Sequence, residues 1–130
     1  MEVETEVNKY HKSKIYYLFD RINNRIYVGS TCAAFKKRMC DHLYDFKAWK
    51  GEANNKLPRN YRTSFDILIQ DKYEKGILEE FKCENKRQLE HRECEWILAF
   101  SEKNIEVVNK HKPNITTRPV LPHCFFPLPS

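Results

Sequence analysis

No run of apolar residues in this 130-residue chain approaches the roughly 18 that a helix needs to cross a bilayer. Met1 to Val7 alternate glutamates with small residues, and show neither the basic n-region nor the apolar core of a secretory signal. The expectation is therefore an intracellular protein, in cytoplasm or nucleus, not secreted. The five cysteines (Cys32, Cys40, Cys83, Cys94, Cys124) are odd in number and have no C-x-x-C spacing, which fits neither a disulfide framework nor a zinc ribbon. They read as reduced thiols, most of them core fillers. Nothing repeats at a solenoid period, and the length has room for one compact domain rather than two.

What is present points to a globular fold with a local basic field. Hydrophobic residues make up 41% and aromatic ones 13%, enough for a core beside 32% charged residues. The net charge of +5 is concentrated between residues 31 and 64. Eight basic residues there (Lys36, Lys37, Arg38, Lys47, Lys50, Lys56, Arg59, Arg62) face three acidic ones (Asp41, Asp45, Glu52). A polyphosphate partner requires such a field, although a solvated lysine-rich helix face gives the same count.

Lys14 to Asp20 (KIYYLFD) and Arg25 to Gly29 (RIYVG) are aromatic and β-branched, and Arg21-Ile22-Asn23-Asn24 carries turn chemistry, which predicts a β-hairpin. A two-residue or a four-residue loop puts Tyr16 and Tyr27 on one face. The four-residue loop makes them diagonal neighbours roughly 7 Å apart, with Tyr17 on the other face beside Ile15 and Phe19. After Gly29-Ser30-Thr31, apolar residues at Phe35, Met39, Leu43, Phe46 and Trp49 predict an amphipathic helix ending near Gly51. Arg38 and His42 stack one turn apart at an edge of its apolar stripe.

Glu52 to Ser64, with the basic-aromatic cluster Arg59-Asn60-Tyr61-Arg62, reads as a long surface loop. Phe65 to Gln70 (FDILIQ) and Ile77 to Phe81 read as strands. Asn85 with Gln88 gives a helix-start signal, and Leu89, Trp96, Ile97 and Phe100 fall on one face of the helix that follows. The fold class is α/β in the broad sense (α+β): a small central antiparallel sheet of three to four strands flanked by helices. Residues 1–12 are read as a tail, 13–112 as the domain, and 113–130, which hold five of the six prolines, as an extended tail.

One residue breaks the pattern. On a helical wheel Glu93 falls within the arc of Leu89, Trp96, Ile97 and Phe100, whereas Glu95 points to the opposite face and Glu90 to its flank. A carboxylate on the core side is costly unless a cation, a metal or hydrogen bonds meet it. Taken alone, it reads equally well as a ligand or as half of a buried ion pair.

Lys14-Ile15-Tyr16, ten residues, then Tyr27-Val28-Gly29 resembles the GIY…YIG signature of the nuclease superfamily of that name. The family's Arg and His one turn apart on the next helix are matched by Arg38 and His42. Its rE-x-x-W-I pattern is matched by Arg92-Glu93-Cys94-Glu95-Trp96-Ile97, and its late Asn by Asn109 in Asn109-Lys110-His111-Lys112-Pro113. The resemblance spans about 100 residues in the family's order, and small stand-alone members from large DNA viruses and mobile elements are the most similar in pattern. Lys14 stands where the family usually has its first Gly.

The resemblance implies a metal-dependent endonuclease that hydrolyses DNA phosphodiester bonds. In that reading Glu93 holds one divalent cation, Mg²⁺ or Mn²⁺, and Arg38 neutralises charge on the transition state. Tyr16 is the general base, with His42 adjusting its protonation; Tyr27 positions water or phosphate, and the two tyrosines are interchangeable in role. Gly29 and Asn109 support the site. Lys14, Lys37, Arg59 and Arg62 are candidate phosphate contacts. Duplex or branched DNA is the expected partner, RNA stays open, and specificity is expected from loops, a homodimer or a partner protein.

Each residue alone has a plainer reading: strand tyrosines pack, a His beside an apolar stripe is a satisfied surface group, and Arg38 belongs to a basic face. The competing function is a catalytically weak or inactive nucleic-acid-binding module of the same fold, which Lys14 favours. A protein-interaction domain docking through the tail LPHCFFPLPS ranks below both, because that tail lacks a P-x-x-P with a basic anchor.

Overall fold

The computed structural model describes residues 8–50, 62–70 and 72–109. A 3-10 turn at Lys9–Lys12 precedes β1 (Lys14–Asp20), β2 (Arg25–Thr31), α1 (Phe35–Trp49), α2 (Phe65–Leu68), β3 (Glu74–Glu80), α3 (Lys86–Ser101) and β4 (Glu106–Val107). The four strands form one sheet in the order β3-β1-β2-β4.

The hairpin closes through Asp20. Its fully buried carboxylate accepts from the backbone N–H groups of Ile22 and Asn23, from Asn23 Nδ2 and from Arg25 Nη2. Burial alone would raise the Asp20 pKa, but these donors outweigh it and hold the group below the usual carboxylate range. Asn24 completes the turn at φ 55°, a left-handed conformation that asparagine tolerates. The four-residue connection sets the register Tyr16↔Gly29 and Leu18↔Tyr27. Tyr16 and Tyr27 are therefore diagonal neighbours on one face, with ring centroids 6.4 Å apart.

Strand alternation sorts the core into two clusters. Ile15, Tyr17, Phe19, Ile26 and Val28 face Leu89, Trp96, Ile97 and Phe100 of α3. On the opposite face Leu18 packs with Met39 and Phe46 of α1 and with Phe65, Ile67 and Leu68 of α2. The α3 start follows the expected signal: Asn85 Oδ1 accepts from Gln88 N at 3.0 Å while Gln88 Oε1 accepts from Glu84 N at 2.7 Å. Tyr10 of the 3-10 turn packs against the α3-side cluster, and its carbonyl accepts from Cys83 N.

Several expectations need correction. FDILIQ does not form a strand: Phe65–Leu68 is a short helix, with Phe65, Ile67 and Leu68 buried. A short, mostly apolar run carries no decisive period, and here the Phe65 ring packs at a tilt against Phe46 and Trp49 rather than joining the sheet. The sheet is mixed, not wholly antiparallel, because β4 runs parallel to β2. Two residues of strand, Glu106–Val107, left too little pattern to announce β4. β3 begins at Glu74, ahead of its apolar residues. Along α1 the buried stripe runs through Met39, His42 and Phe46, while Leu43 is exposed; the histidine is therefore part of the core. Of the described cysteines, all free thiols, only Cys83 is buried; Cys124 lies outside the described residues. No helix among the described residues is long and apolar enough to cross a membrane.

Candidate active site

Tyr16 is the centre of the site and has no solvent exposure. Its hydroxyl lies 2.6 Å from His42 Nε2 and accepts from Arg38 Nε at 3.1 Å. The one-turn spacing of Arg38 and His42 on α1 brings both onto the same phenol. Gly29, directly across the ladder, makes this possible. A Cβ there would land inside the van der Waals radius of Tyr16 Cζ and hydroxyl, and 2.8 Å from Cε1.

Burial and the positive charges of Arg38 and Arg62 push the His42 pKa down to about 4. The imidazole is thus neutral near pH 7, and in the tautomer that carries its proton on Nδ1 the Nε2 atom accepts from the phenol. Burial raises the Tyr16 pKa well above that of a free phenol, with Tyr27 adding to the rise and Arg38 opposing it. The phenol therefore keeps its proton, which it gives to the His42 bond in the Nδ1–H tautomer. Tyr27 is raised chiefly by burial and secondly by Glu93, with Arg38 and the neighbouring Tyr16 phenol opposing the rise. Tyr27 keeps partial exposure and lines a cleft of about 500 Å³ together with Arg38, His42, Asp45, Arg62, Thr63 and Ser64. Tyr16, sealed beneath it, reaches solvent water only through another group. The sequence points to Tyr16 as the base, whereas the solvent-facing member of the pair is Tyr27.

Glu93 of α3 is anchored at β2, next to the Gly29 that faces Tyr16. Ser30, the residue after Gly29, donates its hydroxyl to Glu93 Oε1 at 2.7 Å. Burial raises the Glu93 pKa above the usual carboxylate range, only partly offset by the Ser30 bond, while Arg38 favours its charged form. Among the described residues no cation forms a salt bridge with this carboxylate. Its charge acts on both phenols, although its side chain does not line the cleft. Among the described residues no three His, Cys, Asp or Glu side chains gather as a metal-holding group. A cation at Glu93 would then take its other ligands from water and phosphate oxygens, which Mg²⁺ accepts readily. A half-desolvated carboxylate with a raised pKa is a group that such an ion would relieve.

Asn109 acts as a strand extension. Its Oδ1 accepts from Val28 N at 3.0 Å and its Nδ2 donates to Val28 O at 2.7 Å, continuing the β4 pairing past Val108. The backbone between Tyr27 and Gly29 is thereby held from its open edge.

The candidate phosphate contacts separate. Arg62 lines the cleft, 3.7 Å from Asp45 Oδ2. Lys37 is exposed and paired with Asp41 at 3.0 Å, outside the cleft lining. Lys14 donates to the carbonyls of Lys12 and Ala33, so its ammonium braces the loop leading into α1. Arg59 lies outside the described residues. Ser30 and Asp45 were not singled out from sequence: a serine after the YVG segment and an aspartate in a basic helix carry no signal until the fold places them.

No protein family, curated protein or solved structure matches this chain.

Proposed function

We propose that the protein is a metal-dependent endonuclease of the GIY-YIG type that hydrolyses phosphodiester bonds in DNA. The observation that carries the reading is the convergence of Arg38 and His42 on the Tyr16 hydroxyl, with the Tyr27 ring beside it at 6.4 Å between centroids and the charge of Glu93 acting on both phenols. A purely structural tyrosine has no need of both a guanidinium and a neutral imidazole on its hydroxyl.

The residues divide the work as follows. Arg38, positively charged at the cleft wall, meets the scissile phosphate and neutralises charge that grows in the transition state. Tyr27, facing the cleft, takes the proton of the attacking water as its own proton passes to Tyr16 and that of Tyr16 passes to His42 Nε2. No free phenolate is needed, which answers the high pKa of Tyr16. Arrival of the singly charged phosphodiester near Arg38 and Arg62 offsets their effect on His42 and makes it a better proton acceptor. Glu93 would hold the divalent cation, which would supply Lewis-acid polarisation of the phosphate and charge stabilisation at the leaving 3′ oxygen. Lys14 in place of a glycine leaves the strand pairing intact, with Lys14↔Thr31 in register, so it removes nothing from this centre.

The test is incubation of purified protein with supercoiled plasmid, branched DNA and a matched RNA, with Mg²⁺, Mn²⁺ or a chelator. Cleavage of DNA that stops with the chelator supports the reading. Preferential RNA cleavage changes the substrate, and binding without cleavage under every condition makes the protein a nucleic-acid-binding module of the same fold.

A further inference from the structure

We propose that Glu79 of β3 is a positioning residue for Glu93: it grips α3 on both sides of the turn that carries the carboxylate. This rests on the nuclease reading above for its catalytic meaning, but the geometry stands by itself.

Glu79 Oε1 accepts from Arg92 Nε at 2.7 Å and from Trp96 Nε1 at 2.9 Å, and Oε2 accepts from Arg92 Nη2 at 2.8 Å. Arg92 and Trp96 are four apart on α3, hence one above the other on one face. Glu93 is the next residue after Arg92, about 100° further round the axis. Pinning two points one turn apart fixes the rotation of the helix about its axis, and with it the direction of the Glu93 side chain. The Glu79 and Arg92 side chains are each 14% exposed, so the fork is largely dry and charge-assisted. The Phe81 ring lies 5.4 Å from the guanidinium on the same side.

The sheet supplies the second half of the argument. Ile15 of β1 pairs with Glu79 on one side and with Ser30 on the other. Glu79 and Ser30 therefore occupy one row of the sheet, two strand spacings or roughly 10 Å apart. Both grip the same helix: Ser30 at Glu93, Glu79 at Arg92 and Trp96. The β-bulge in the β1–β3 pairing lies next to this row, between Ile15 and Tyr16, and it is there that the register of β3 is adjusted. The row works as a two-point cradle for α3, and the helix carries the one carboxylate assigned to the cation.

The test compares full-length wild type with Glu79→Gln, Arg92→Gln and the double variant, with Arg92→Lys as the conservative control. Cleavage is followed against Mn²⁺ concentration, and the side-chain carboxyl carbon of Glu93 by NMR at neutral pH without metal. We expect Glu79→Gln to raise the Mn²⁺ midpoint at least tenfold with the DNA KM changed less than twofold. The Glu93 carboxyl signal should move as its Ser30 contact loosens. Arg92→Gln should do the same, the double variant no more than either, and Arg92→Lys should recover part of the loss. A wild-type midpoint and an unmoved Glu93 signal in a folded Glu79→Gln protein overturn the proposal. If Glu79→Gln does not fold, the same two readouts on Arg92→Lys decide, with unmoved values overturning it. Wild type that shows no metal-dependent cleavage sinks the nuclease reading, while the NMR comparison still decides whether Glu79 sets Glu93.

Discussion

The Tyr16 hydroxyl and His42 Nε2 meet at 2.6 Å inside the protein, with neither side chain more than 3% exposed. Two polar groups buried this far are stable only as partners, since either one alone would be left unsatisfied. The contact joins β1 to α1 and is also the last step of the proposed proton path, so its loss should be felt in stability and in activity.

Stability should depend on pH through His42. The folded group titrates at about 4 against 6.5 when free. Above pH 6.5 both states are neutral. Between 6.5 and 4 only the unfolded chain takes up the proton, so stability falls as pH falls through that window, by up to about 3 kcal/mol. Urea unfolding at pH 7.5 and 4.5 should show this loss in wild type beyond that in His42→Gln. An identical pH dependence in the two proteins would mean that His42 is not buried and neutral.

Removing the two phenols one at a time separates relay from packing. Tyr16→Phe leaves His42 Nε2 without its donor and should cost about 1–3 kcal/mol. Tyr27→Phe, at a partly exposed position, should cost less than about 1 kcal/mol. Both should lower single-turnover cleavage by about two orders of magnitude, the range of a lost proton-transfer group. Wild-type rates in Tyr27→Phe would return the water-facing role to another group.

Gly29→Ala tests the closeness of the two hairpin strands at the site. The added methyl would collide with the Tyr16 ring, which is fully buried and held by Arg38 and His42. Thermal denaturation should report a loss of about 1–3 kcal/mol, with cleavage falling more than tenfold. A neutral result would show that the Tyr16 ring moves freely.

Asn109→Ala should remove both side-chain bonds to Val28 and cost about 1–3 kcal/mol. Hydrogen exchange at the Val28 amide should accelerate while that at Tyr17, in the middle of β1, stays slow. Unchanged protection at Val28 would remove the strand-extension role.

Much of this site could be read in the sequence because its parts sit at fixed local spacings. The Arg38–His42 interval fixes a shared helix face, hairpin parity fixes Tyr16 beside Tyr27, and the wheel position of Glu93 marks a carboxylate turned from the solvent side. What escaped was set by long-range contacts. The apolar run Phe65–Leu68 has no period of its own and became a helix against Phe46 and Trp49. β4 is too short to carry alternation and exists because Ile26 and Val28 present an open edge to Val108 and Asn109. The burial of His42, which decides its protonation state, required the fold. So did Ser30 and Glu79, which grip α3 from residues 63 and 13 positions away in the chain from their partners.

The measurement that bears most directly on the central claim is the single-turnover cleavage rate of Glu93→Gln at saturating DNA and Mg²⁺. Glutamine keeps the shape and an acceptor for Ser30 but cannot supply an anionic ligand. The account predicts a rate at least 10²-fold below wild type, on the order of a lost electrostatic stabiliser, with DNA affinity and thermal midpoint nearly unchanged. A Glu93→Gln protein that cleaves at the wild-type rate with the same metal dependence would contradict it.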